Sequence, residues 1–295
     1  MKINYWYRKF LGKEADDKVR AGVLVFSVLA FITHLLIYFL YQIEVITING
    51  EAKTLVNSPL SSLYTPFSIL LTYETYQLIR TLPSSFSNSV GKQYEVVTLL
   101  VVRDVFKRLA DFSTDDEWAI DGELGLILLE CMAFLILFFT ALSYRRSSDV
   151  SEISRVDDSE LDSFVHSKRI ISLMLFVAFL AMAAYSFGTW TISVLDGKGG
   201  VDREIFFSDF FTILILADIL ILLLSYRFTV DFANLARNTG FILSTVILRV
   251  AIGAPGVSAV VLFTLSGILG LAILRISSEF AVSYTHLTLP TILRV

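Results

Sequence analysis

A single cysteine, Cys131, stands in 295 residues, so no intrachain disulfide braces the chain. It lies in an apolar run and reads as core filling. Histidine is nearly as scarce, with three residues. There is no HExxH, CxxC or comparable cluster, no GxxxxGK(S/T) loop and no GxSxG elbow. A metalloprotease, an ATP-driven pump and a serine hydrolase therefore lack the residues their chemistry requires, and no cofactor site is expected. Asp196-Gly197-Lys198-Gly199-Gly200 has the glycines of a phosphate loop without the Lys-Ser/Thr that opens its helix, and reads as a turn. Charge is thin as well: 18% of residues are charged, against about 25% in soluble domains. The longest polar stretches are too short to bury a core, which excludes a separate soluble domain.

What the chain has in excess is apolar surface. Hydrophobic residues make up 55% and aromatics 13%, with a mean hydropathy of +0.69. The excess is concentrated in long runs around 21–43, 123–143, 170–194, 208–226 and 258–274, several near the roughly 20 residues that cross a hydrocarbon core. The first run continues through Phe39, Leu40 and Tyr41, beyond the about 7–15-residue apolar core of a cleaved signal, and reads as a permanent span. The pattern predicts an all-α polytopic integral membrane protein, a helical bundle of seven or eight transmembrane helices.

Residues 1–20 carry Lys2, Arg8, Lys9, Lys13, Lys18 and Arg20 among Tyr5, Trp6, Tyr7 and Phe10. This basic, aromatic segment is expected at the membrane interface, with the N-terminus in the cytoplasm. A group of transmembrane helices follows over 21–143, then a polar cytoplasmic linker over 144–168 rich in serine and acid, then a second group over 169–281. Alternation before Asn49-Gly50 predicts a small hairpin after the first span. Residues 282–295 contain Val282-Ser283-Tyr284-Thr285-His286-Leu287-Thr288-Leu289-Pro290-Thr291, which resembles a translated sequencing adapter. That tail, His286 included, carries no functional argument.

Segment 93–110 decides the helix count. Its amphipathic pattern, with Tyr94, Val101, Val102, Val105 and Leu109 opposite Arg103, Asp104, Lys107 and Arg108, suits a helix lying on the cytoplasmic surface. That placement would put Arg145, Arg146, Arg155, Lys168 and Arg169 outside, against the positive-inside rule. If the segment crosses, acidic Asp111 to Glu123 falls outside and every later loop agrees, giving eight spans. The expected location is the plasma membrane, of the bacterial inner-membrane type.

Function should lie where ionisable side chains meet low dielectric. Arg249 and Asp218 are flanked by apolar residues on both sides, and an Arg at a helix centre costs about 2.5–3.5 kcal/mol even on the lenient insertion scale. Their spans are consecutive, so an Asp218 to Arg249 ion pair is expected. Glu74, Glu130, Arg103 and Asp104 are the next candidates. His34, mid-span, has no Cys or carboxylate near it in sequence and is expected to hydrogen-bond within the bundle. A membrane-embedded enzyme would need His34 beside a carboxylate. Arg and Lys do not recur at every third position over several turns, which speaks against a voltage sensor. Gly253-Ala254-Pro255-Gly256 leaves 241–254 either as a short span completed by Asn238 to Gly240 or as a broken, re-entrant helix. Ser266 and Gly270 mark a close-packing face.

These residues point to a small-ion (cation or proton) channel or secondary transporter. The alternative is a non-transporting sensor or partner-binding subunit whose buried charges hold the bundle together. The partners so implied are the lipid bilayer, a small ion, and a second copy (a homo-oligomer) or a membrane partner subunit. Basic patches at 1–20 and 103–108 suit anionic lipid, not nucleic acid.

Overall fold

The computed structural model describes residues 2–47, 56, 58–111, 122–147, 158–195, 203–227 and 232–288. Among them every regular element is helical. In chain order these are α1 (Lys2–Leu11), α2 (Lys13–Gln42), a 3-10 turn at Pro59–Leu63, α3 (Tyr64–Thr81), α4 (Phe86–Asp111) and α5 (Glu123–Ser147). They continue with α6 (Asp158–Leu195), α7 (Arg203–Ser225), α8 (Phe232–Ile252) and α9 (Gly256–Thr288).

Five of these helices are long and apolar enough to cross a membrane, within Ile3–Gln42, Leu124–Ser147, Asp162–Ser186, Phe232–Ile252 and Gly256–Glu279. They give the chain the character of a polytopic membrane protein. The expectation of seven or eight such helices is corrected to five by that measure. The apolar part of α7, Phe210–Ser225, is shorter. Both α3 and α4 are punctuated by polar and charged residues that they turn into the bundle. Large apolar side chains elsewhere face outward: Val25, Phe26, Leu29, Ile32 and Leu36 on α2, Met132, Leu135 and Phe139 on α5, Val261 and Ile268 on α9. An exposed belt of that extent is untenable in water and natural against lipid tails.

Two hydrophobic cores fill the interior. One joins Leu11 to Leu71 and Ile79 of α3, Leu82 just after it, Val96 and Leu100 of α4, Leu175 and Phe179 of α6, and Phe210, Leu214 and Ile221 of α7. The other joins Val90, Tyr94, Val97 and Val101 of α4 to Ala133, Leu137 and Tyr144 of α5, Phe241 and Leu248 of α8, and Val260 and Phe263 of α9. Helix α4 belongs to both. It packs against α3, α5 and α8 and buries Gln93, Tyr94, Val96, Val97, Thr98, Leu100, Val101 and Arg103. Along 93–103 it therefore packs inside the bundle: Arg103 is buried and Leu109 exposed, against the amphipathic projection, while Tyr94 and Val101 are buried and Lys107 exposed in accord with it.

Small residues bring the second core close. Ser266 and Gly267 of α9 are buried, the Ser266 hydroxyl donates to the Ser244 carbonyl at 2.7 Å, and the Tyr144 hydroxyl donates to the Gly270 carbonyl at 3.0 Å. This is the close-packing face expected of α9. Helix α8 is unbroken from Phe232 through Asn238 and Gly240 to Ile252, so the re-entrant alternative is not realised. The turn after it uses Gly256 at φ +51°, a left-handed conformation that glycine adopts without a Cβ penalty. The predicted hairpin falls largely on 48–55, outside the described residues, and 45–47 form no strand.

Candidate functional site

At the α1 end of the bundle, where α2 and α4 begin and α3 and α5 finish, residues of these four helix ends line a cavity of about 400 Å³. Its walls include Asp16, Tyr73, Glu74, Gln77, Lys92 and Glu95. On one side Lys92 bridges two carboxylates, Nζ standing 2.7 Å from Glu74 Oε2 and 2.9 Å from Glu95 Oε2. Burial works to lower the Lys92 pKa, but Glu74 and Glu95 outweigh it and hold the ammonium above the ordinary lysine range.

On the other side Asp16 is gripped by three groups from α3. The Tyr73 hydroxyl donates to Oδ1 at 3.0 Å, the Gln77 amide donates to the same oxygen, and Arg80 Nη1 stands 3.0 Å from Oδ2. Arg80 also donates through Nε to the Leu11 carbonyl at 3.1 Å, and the Tyr76 hydroxyl donates to the Phe10 carbonyl at 2.8 Å. Those carbonyls end α1 and have no partner within their own helix. One stripe of α3 therefore caps α1 and fixes the start of α2.

Beside Lys92 on α4, but turned about 100° around the helix and outside the cavity lining, Gln93 joins a second group. Asp218 Oδ2 accepts from Arg249 Nη2 at 2.7 Å and from Gln93 Nε2 at 2.9 Å. The Arg249 and Asp218 side chains are 3% and 8% exposed, so the ion pair expected from the sequence forms, and forms out of contact with the surroundings. Helices α4, α7 and α8 meet here. The cluster is incomplete: Arg249 Nη1 and Gln93 Oε1 are buried without a hydrogen-bond partner. Each such group forfeits about 1–3 kcal/mol.

The remaining candidates stand apart from the cavity. Arg103 Nη2 pairs with Asp104 Oδ1 at 2.9 Å, and Arg108 Nε with Glu130 Oε1 at 2.8 Å. Both pairs lie toward the opposite end of α4. His34 shares a hydrogen bond of 2.7 Å with the Thr65 hydroxyl between α2 and α3. Of the sequence candidates, Glu74 lines the cavity, Asp218 and Arg249 form the buried pair, and the others do not converge with them. No group of three or more His, Cys, Asp or Glu placed to hold a metal ion occurs among the described residues.

Sequence reasoning passed over Asp16, Tyr73, Gln77, Lys92 and Gln93. A signal was present for α3. Tyr73, Tyr76, Gln77 and Arg80 recur at helical spacing and so share one face, and a polar stripe inside an otherwise apolar segment is an inward face. Asp16 offered none, since an acid amid basic residues reads as a solvated helix start.

An all-helical bundle with an exposed apolar belt and charges buried inside it defines the architecture of a polytopic membrane protein, with features compatible with transport or channel function. Comparison with protein-family models, with curated proteins and with solved structures finds no match.

Proposed function

We propose that the chain is a secondary transporter or channel for a proton or small cation, with α4 as the spine of its path. In this reading α3 and α4 lie inside the bundle, shielded by the five apolar helices, with the N-terminus in the cytoplasm. The ion enters from the cavity beside Glu74, Lys92 and Glu95, passes the Gln93, Asp218 and Arg249 cluster, and leaves past Arg103 and Asp104.

The observation that carries this reading is the pair of unsatisfied atoms, Arg249 Nη1 and Gln93 Oε1, inside the bundle one residue along α4 from a cavity-lining lysine. An ion pair kept only for packing gains by satisfying all its hydrogen bonds. One left open to a mobile polar species suits a wet path. The second reading, a sensor or partner-binding subunit, is favoured by the separation of Glu130, Arg103 and Asp104 from the cavity.

Purified protein in sealed vesicles, given proton, sodium and potassium gradients in turn, tests this directly. Flux of one ion that Asp218→Asn abolishes in a protein still folded is the expected result. Absence of flux for all three would leave the sensor reading standing. Sidedness is tested independently with Cys131→Ser plus Asp115→Cys: labelling of residue 115 by an impermeant external reagent is the expected result if the ion leaves past Arg103 and Asp104 on the outer side.

A further inference from the structure

The outer face of α1 takes no part in the cavity or the buried cluster. Its inner face is fully engaged. Leu11 is buried in the first core, the Tyr7 hydroxyl donates to the Arg80 carbonyl at 3.0 Å, Arg169 of α6 donates to Asn4 at 3.1 Å, and Arg80 and Tyr76 cap its last carbonyls. The helix cannot roll without breaking these contacts, so what it presents outward is fixed.

That outward face is aromatic and cationic. Tyr5, Trp6 and Phe10 are 61%, 45% and 40% exposed. Trp6 and Phe10 stack at 5.7 Å and Tyr5 meets Trp6 edge-on at 5.6 Å. The Lys9 ammonium stands over all three rings, 5.2 Å from Trp6, 5.9 Å from Phe10 and 6.0 Å from Tyr5. Arg8 beside it is exposed, and the helix, KINYWYRKFL, contains no acidic residue. Phe10 also contacts Phe176 at 5.8 Å, in the apolar stretch of α6, which sets α1 at the level where the apolar belt begins.

We propose that α1 is a docking helix for anionic phospholipid headgroups. Lys9 and Arg8 meet the headgroup charge, while Tyr5, Trp6 and Phe10 seat in the boundary between headgroups and acyl chains. A zwitterionic headgroup offers the aromatic ledge the same fit but no net charge, so the two lipid classes are distinguished by the cations alone. The capping of the α1 carbonyls by Arg80 supports this choice, because it neutralises the negative end of the helix dipole that would repel an anion. The proposal is independent of what, if anything, the bundle conducts.

The test uses the full chain with Trp118→Phe and Trp190→Phe, leaving Trp6 as its fluorophore, in mixed anionic and zwitterionic vesicles at low salt. In one set the anionic lipid carries brominated acyl chains and in the other the zwitterionic lipid does. Quenching of Trp6 by the brominated anionic lipid is expected to exceed that by the zwitterionic one about twofold, and Arg8→Gln with Lys9→Gln should bring the two to equality. Raising salt to about 1 M should do the same. Equal quenching with α1 unaltered would overturn the proposal. So would blue-shifted Trp6 emission quenched by neither lipid, which would mean that another copy of the chain covers the face.

Discussion

The hydroxyl of Tyr94 on α4 and the backbone of Gly270 on α9 touch with no room for a methyl group: a Cβ on Gly270 would stand 2.5 Å from the hydroxyl oxygen. That oxygen is fixed, donating to the Ser266 carbonyl at 2.7 Å. Gly270→Ala is expected to destabilise the bundle by about 1–3 kcal/mol, the usual penalty of overpacking. Tyr94→Phe in the same chain should recover part of the loss by removing the clashing atom. Unfolding of the two single variants and the double variant in one detergent checks the coupling.

For the Asp218 and Arg249 pair, stability and transport make different demands. Asp218→Asn leaves a buried guanidinium without its counter-charge and is expected to cost about 3–5 kcal/mol. Asp218→Leu combined with Arg249→Met replaces the pair by apolar volume and should unfold close to the unaltered protein. If the pair lies on the ion path, flux is lost in both. A double variant with full stability and full flux would make the pair purely structural.

Arg80 joins three elements, so Arg80→Ala should loosen α1 more than it loosens the bundle. The Leu11 carbonyl loses its cap and Asp16 loses its cation, at a cost of about 1–3 kcal/mol. Amide exchange over residues 2–11 is expected to accelerate while that of α5 and α9 stays as it was. Uniform acceleration would show that Arg80 supports the whole fold instead.

The Lys92 bridge sets a pH dependence whose sign follows from its raised pKa. The protonated form is favoured in the fold, so the stabilisation is fully present below the unfolded lysine value of about 10.4 and is lost as pH rises through the higher folded value. Lys92→Met removes this alkaline loss. Thermal unfolding from pH 7 to 11 reads the difference between the two proteins.

The helices facing lipid are the ones hydropathy finds, because lipid demands apolarity on every exposed side. Helix α2 is the extreme, bare along Leu24 to Leu36, and α5, α6, α8 and α9 follow. Helix α4 escaped the same reading for the opposite reason. Surrounded by other helices, it carries Gln93, Thr98 and Arg103 inward, and its sequence resembles that of a surface helix. The Asp218 to Arg249 pair was legible because each charge interrupts a long apolar run in consecutive spans. Gln93 was not, since an amide beside Lys92, Tyr94 and Glu95 is conspicuous only once its partner 125 residues away is in place.

That separation has a bearing on how the protein is made. Helix α4 leaves the ribosome with its polar face uncovered, and the groups that cover it come late: Asp218 follows Gln93 by 125 residues, and Ser266 follows Tyr94 by 172. At about 5–20 residues per second this interval lasts roughly six to thirty-five seconds. Throughout that interval Gln93 and Tyr94 of α4 lack the partners that α7 and α9 later bring to them.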